Sequence, residues 1–135
     1  MPGLDAIDVK VEGLKVRATD NALPLLHEIR HALNRLASTG EPTTIDLSSI
    51  PLGPADREQL FDALGEGEVQ ARVDAFGPSS IRETAYPGVW LVQHMNPHSE
   101  EHSVLVEVTR LPALLLTPEA DVKDSAAALE ARLSP

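Results

Sequence analysis

Two histidines that flank a glutamate form the clearest pattern with a chemical meaning in the 135-residue chain. His27, Glu28 and His31 match H-E-x-x-H, in which two imidazoles one helical turn apart hold zinc and the carboxylate acts as a base. At 100° per residue, however, both histidines lie roughly 150–190° from the centre of the apolar helix face. The pattern therefore favours two solvated histidines. A zinc hydrolase, or a nickel or zinc site without catalysis, remains the alternative.

A second set of histidines has the same four-residue spacing but a different setting. His94, His98 and His102 surround Pro97 and are flanked by strand-like segments, so they are expected around a hairpin and not along one helix face. No serine lies in a G-x-S-x-G string, which excludes an esterase-type nucleophile elbow. We expect no catalytic residue and no cofactor.

Two short segments are candidates for contact with a partner protein. Residues 64–69 (LGEGEV) present Glu66 and Glu68 on a glycine-rich loop, where the two carboxylates would repel a phosphate. Residues 83–90 (ETAYPGVW) hold the only tyrosine and the only tryptophan, Tyr86 and Trp90. Tyrosine and tryptophan are frequent anchors of protein interfaces, and equally frequent core residues. Core packing is the favoured interpretation for Trp90, while the two interpretations are closer for Tyr86.

Composition excludes several classes of function. The chain has 21 acidic residues against 11 lysines and arginines, a net charge of −10 and no cysteine. An acidic chain binds nucleic acid or an anionic membrane poorly. A chain without cysteine can form no disulfide and has no thiolate to ligate an iron–sulfur cluster. No apolar run is long enough to span a membrane, and the N-terminus lacks the pattern of a signal peptide. We expect a cytoplasmic protein.

The hydrophobic pattern predicts an α+β fold. Apolar spacing indicates helices over residues 21–38 and 54–64, and helix formers indicate a third after residue 118. Between them lie alternating segments near residues 69–75 and 81–85, an apolar run at 89–94 typical of a central strand, and a further strand at 104–109. Together they predict an antiparallel four-stranded meander packed against the two N-terminal helices and the C-terminal helix. Residues 43–47 are short and rich in β-formers. We expect residues 1–20 to be a leader or an extra strand, and residues 21–135 to form a single domain.

Five motifs in the same order resemble the hydrogenase expression/formation proteins of the HupH/HyaF type. They are EPTTIDL at residues 41–47, PLGPADR at 51–57, LGEGEV at 64–69, ETAYPGVW at 83–90 and EVTRLP at 107–112. The resemblance implies an accessory, chaperone-like role in the maturation of a [NiFe] uptake hydrogenase. It also implies a partner, either a small or large hydrogenase subunit or another maturation factor, and no catalysis by the chain itself.

Overall fold

Helices and strands in the chain begin and end close to the residues that the sequence marks as caps and breaks. The structure is a computed structural model and describes residues 21–75 and 77–135, so the predicted leader or extra strand at residues 1–20 lies outside it. Among the described residues, no helix has the length and apolar character needed to cross a membrane. The helices are α1 (Ala22–Thr39), α2 (Pro54–Leu64) and α3 (Glu119–Leu133), with short 3₁₀ helices at Leu47–Ser49 and Ala113–Leu115; the strands are β1 (Thr43–Asp46), β2 (Gln70–Asp74), β3 (Pro78–Glu83), β4 (Val89–Met95) and β5 (Glu101–Val108).

In the part of the chain that the structure describes, the sheet has five strands, one more than the predicted meander. Its order is β1-β5-β4-β3-β2, and each neighbouring pair is antiparallel. Strands β2 to β5 form the predicted meander, and β1 joins its far edge by pairing Ile45 with Val106. The segment has the β-branched residues typical of a strand, and pairing with β5 buries Ile45 against the core. The fold class is α+β as predicted, and the strand count is corrected to five.

The main core lies between one face of the sheet and the first two helices. Helix α1 buries Leu25 and Ile29, and α2 buries Leu60 and Leu64. These side chains belong to one apolar cluster with the inward residues of the central strands β4 and β5. Helix α2 starts with a proline in its first turn, where the missing N–H costs nothing. The opposite face of the sheet carries a smaller apolar cluster around Ile81, Trp90 and Val92.

The predicted C-terminal helix forms but does not pack against the sheet. No residue of α3 is buried, and all of them are exposed to solvent. The run of alanines at residues 126–128 favours a helix through intrinsic propensity, which acts on the segment itself whether or not it packs against the sheet. The predicted packing of this helix is therefore corrected.

Candidate functional site

A rigid turn between β3 and β4 holds Tyr86 at the surface. The buried hydroxyl of Thr84 accepts a hydrogen bond from the Tyr86 N–H (3.1 Å) and lies 3.2 Å from the Tyr86 carbonyl oxygen, to which it donates. Two backbone hydrogen bonds close the same turn: the Thr84 N–H donates to the Val89 carbonyl, and the Val89 N–H donates to the Tyr86 carbonyl. The backbone of the turn is thus held at several points, while Tyr86 as a residue is 52% exposed.

Helix α1 packs directly on this turn at Gly88. Gly88 has φ = +98°, a conformation that residues with a side chain rarely adopt. A Cβ atom there would lie 3.5 Å from a methyl of Leu33 and 3.7 Å from a methyl of Leu36. The Gly88 carbonyl also accepts a hydrogen bond from the Thr109 N–H at 2.8 Å. The turn is therefore fixed to α1 on one side and to the end of β5 on the other.

Two open clefts flank the turn, and Leu33 lines both of them. The larger, of about 680 Å³, lies beside the C-terminal end of α1 and is lined by apolar residues and by two charged side chains, Glu83 and Arg110. The smaller, of about 320 Å³, lies between α1 and α2, and Tyr86 and Arg30 line it together with leucine, isoleucine and alanine side chains. We call residues 86–88 and these two clefts the turn surface. An apolar centre with a few charged residues at its rim is the usual anatomy of a protein interface.

The loop that carries Glu66 and Glu68 runs beside the same turn. The Gly67 N–H donates to the Glu83 carbonyl (2.8 Å), and the Glu68 N–H donates to the Glu83 carboxylate (3.0 Å). The carboxylates of Glu66 and Glu68 belong to exposed residues. The structure therefore brings together two segments that the sequence marked independently, although neither contact could be inferred from residue spacing.

Trp90 occupies a different environment from Tyr86. It is only 6% exposed, packs in the smaller apolar cluster with Ile81 and Val92, and donates its indole N–H to the Thr109 carbonyl at 3.0 Å. Its remaining surface lines the larger cleft. Trp90 therefore supports the turn surface from beneath, and Tyr86 is the aromatic residue available to a partner.

The two histidines of the H-E-x-x-H string lie on the exposed side of α1. His27, Glu28 and His31 are all exposed. Within residues 21–75 and 77–135, no group of three or more histidine, cysteine, aspartate or glutamate residues is arranged to hold a metal ion. A catalytic zinc requires three protein ligands in a sheltered site. In the described part of the chain, the zinc-hydrolase and metal-binding alternatives therefore rest on two solvated imidazoles. No third ligand is arranged beside them there.

The second histidine set lies around a hairpin, as its spacing around Pro97 suggests. His98 lies in the turn between β4 and β5, where its N–H donates to the Asn96 side chain. His94 lies on β4 and its Nδ1 is 2.8 Å from the hydroxyl of the buried Ser79. On the same sheet face, burial raises the pKa of Glu107, and the nearby His94 partly opposes this shift. Ser79 and His94 are cross-strand partners on β3 and β4, and neither of them lines the two clefts of the turn surface.

Residues of α1 contribute more to the candidate site than the sequence suggested. Leu33 and Leu36 have the spacing of ordinary core leucines, but both are only partly buried and line the larger cleft. Arg110 follows β5 and lines the same cleft. Nothing in their spacing distinguishes these residues from core or solvent positions, and only the glycine at position 88 signals the close approach of α1 to the turn.

Comparison with known proteins gives consistent matches. Residues 19–135 match the family described as HupH hydrogenase expression protein, C-terminal conserved region. The hydrogenase expression/formation protein HoxQ of Azotobacter vinelandii is 37% identical over 111 residues, which cover 78% of this chain and 38% of that protein. The hydrogenase-1 operon protein HyaF of Escherichia coli K12 is 32% identical over 107 residues, 78% of this chain and 36% of that protein. The chain thus spans less than two-fifths of the length of these curated relatives.

A solved structure matches along nearly its whole length. The hydrogenase expression protein HupH from Thiobacillus denitrificans is 45% identical and superposes with a TM-score of 0.83. The match covers 87% of this chain and 98% of that chain. The similarity therefore extends to the arrangement of most of the helices and strands.

Proposed function

The chain belongs to the family of HupH hydrogenase expression proteins, C-terminal conserved region, and on that premise we propose that it is an accessory factor in the maturation of a [NiFe] uptake hydrogenase. In this proposal the chain acts in the cytoplasm as a single domain over residues 21–135. It performs no catalysis itself, and it binds an immature small or large hydrogenase subunit, or another maturation protein. The family match and the names of the relatives support the pathway.

We further propose that the turn surface is where the partner binds. The observation that carries this assignment is the half-exposed Tyr86, held on a hydrogen-bonded turn between two apolar clefts. A tyrosine on a fixed backbone gives a large contact area at low entropic cost, because little of the site must become ordered on binding. The rim charges of Arg30 and Arg110 would orient the partner, and the acidic loop with Glu66 and Glu68 would favour a partner segment that carries basic residues.

Affinity co-purification from cells that express the hydrogenase operon tests both parts of the proposal. The tagged chain should enrich an immature hydrogenase subunit or a maturation protein, identified by mass spectrometry. Tyr86→Ala removes the exposed aromatic ring, and Ala63→Glu places a charge in the smaller cleft at an exposed helix position. Both variants should reduce capture about tenfold or more, the cost of losing one interface anchor.

A matched control separates the surface from general effects of charge. Asn34→Glu introduces the same charge at an exposed position of α1 that lines neither cleft. It should leave capture unchanged. Capture that survives both Tyr86→Ala and Ala63→Glu would refute the turn surface as the binding site. The absence of any hydrogenase or maturation protein above background would contradict the proposed pathway itself.

A further inference from the structure

Within residues 21–75 and 77–135, helix α3 has none of the packing that normally stabilises a helix of its length. It has 15 residues, and the large apolar side chains Val122, Leu129 and Leu133 are 56%, 59% and 76% exposed. Isolated helices shorter than about 12–15 residues are marginal in water, and most helices in proteins are stabilised by burying an apolar face. A well-formed helix that no described part of the chain buries is therefore a candidate for contact with a second molecule.

The large apolar residues of α3 lie, together with Ala126, on one stripe that has the spacing of a coiled coil. Val122, Ala126, Leu129 and Leu133 follow one another at intervals of four, three and four residues. This is the alternation of core positions in a heptad repeat, in which two helices interlock along a narrow seam. The stripe covers two heptads and reaches the last residue of the helix. The fitting partner is therefore another helix with a similar seam.

We propose that this partner is α3 of a second copy of the chain, paired in antiparallel orientation. In that arrangement Val122 faces Leu133 of the second copy, and Ala126 faces Leu129 of the second copy, so that each layer of the seam is apolar. Two-fold symmetry repeats both layers. The resulting interface consists of a complete apolar seam and exposes no core position to water along the overlap.

The charges beside the seam favour the antiparallel orientation. Lys123 and Glu130 both follow a core residue directly, and so both flank the seam on the same side. In an antiparallel pair, Lys123 of one copy lies beside Glu130 of the other, twice in each dimer. In a parallel pair, Glu130 would instead lie beside Ser125 and gain no ion pair. Antiparallel helices also align their dipoles favourably.

The expected dimer is weak, because its seam is short. A two-heptad contact is smaller than the roughly 1,200–2,000 Å² of a standard interface, so we expect a dissociation constant on the order of 100 µM or tighter. Sedimentation velocity on the full chain, from about 1 µM to about 500 µM, should show a concentration-dependent monomer–dimer equilibrium. A monomer over the whole range overturns the proposal.

Two substitutions of equal charge test whether the stripe forms the interface. Leu129→Glu buries a carboxylate in the seam and should weaken the dimer by more than about a hundredfold. Ala131→Glu adds the same charge on the opposite side of the helix and should leave the dissociation constant within about threefold. Since no residue of α3 is buried in its own chain, neither variant should alter the folding of the rest of the protein. A dimer that tolerates Leu129→Glu, or that is lost with Ala131→Glu, overturns the proposal.

A charge exchange tests the partner and its orientation. Lys123→Glu should weaken the dimer about tenfold or more, because it converts two attractive pairs into two repulsive ones. Adding Glu130→Lys should restore the original dissociation constant. Within one helix these residues are about 10 Å apart along the axis, too far for a direct ion pair, so restoration reports a contact between copies. A double variant no stronger than Lys123→Glu alone overturns the antiparallel pairing.

Discussion

Replacement of Gly67 by alanine should destabilise the fold at the point where the acidic loop meets the turn. A Cβ atom at this position would lie 2.6 Å from Glu83 Oε1 and 2.9 Å from Glu83 Cγ, and closer still to the carbonyl oxygen of Thr84. Real Cβ atoms essentially never approach other atoms within 3.0 Å. The Glu83 side chain can rotate away, but the Thr84 carbonyl belongs to the backbone of the turn. Overpacking of this kind costs about 1–3 kcal/mol.

Urea-induced unfolding measures this cost directly, and thermal unfolding should show a Tm lower by about 5–15 °C. Gly53→Ala is the matched control, because its Cβ atom would meet nothing nearer than a carboxylate oxygen at 4.0 Å, and its cost should stay below about 1 kcal/mol. A second comparison places Gly67→Ala in a Glu83→Ala background.

That comparison shows whether the Glu83 side chain or the Thr84 carbonyl excludes a Cβ atom at position 67. If the Thr84 carbonyl limits the space, the loss caused by Gly67→Ala persists when the Glu83 side chain is removed. A Gly67→Ala variant within about 0.5 kcal/mol of the wild type would refute the close approach of loop and turn. Full recovery in the Glu83→Ala background would show that a movable side chain, and not the backbone, makes the glycine necessary.

Three further predictions concern the turn, the sheet and the histidine pair. Thr84→Val removes the two hydrogen bonds with the backbone of Tyr86 and should lower the free energy of unfolding by about 1–3 kcal/mol in urea titrations; an unchanged midpoint would contradict the role of the hydroxyl. Burial raises the pKa of Glu107, so its carboxyl group binds a proton more readily in the folded chain than in the unfolded chain. The stability that this group contributes is therefore present at low pH and is lost as the pH rises through the raised pKa. Glu107→Gln should therefore be more stable than the wild type at neutral pH, by a margin that shrinks on acidification, and a margin that grows on acidification would contradict the shift. Isothermal titration with Ni²⁺ should show binding weaker than about 1 µM that His27→Ala and His31→Ala each abolish, whereas tight stoichiometric binding would support the metal-site alternative.

Local signals in the sequence predicted most of the helices and strands. Helix α2 matches its predicted span, because Pro54 fits the first turn and Gly65 ends the helix. The leucine and isoleucine spacing of α1 predicted its buried face, and the change to alternation after residue 66 predicted the meander. Each of these signals acts over a few residues, which is why sequence reasoning could find them.

The corrections concern contacts between distant parts of the chain. Residues 43–46 have strand-forming residues, but their place beside β5 depends on a pairing across some 60 residues. Helix propensity predicted α3 and could not tell whether the chain provides a surface for it to pack against. Propensity describes the backbone of a segment, whereas packing depends on what the remainder of the fold places next to it.

The candidate site shows the same division between local and distant information. Of Tyr86 and Trp90, only Tyr86 is exposed. Its residue type and the turn that follows it were the signals that made it a candidate for partner contact. Its position between two clefts depends on α1, and Leu33 and Leu36 carry no local sign of lining a surface. The contact between Gly67 and Glu83 likewise joins segments that sequence reasoning could only consider separately.

Site-specific crosslinking tests the central claim, that the turn surface contacts a hydrogenase maturation partner, most directly. Photoreactive benzoylphenylalanine would replace Tyr86 in one variant and Leu23, an exposed residue of α1 that lines neither cleft, in another. Both variants would be irradiated in cells that express the hydrogenase operon. We expect an adduct with a hydrogenase subunit or maturation protein from position 86 and none from position 23. Adducts with such a protein from position 23 alone would contradict it.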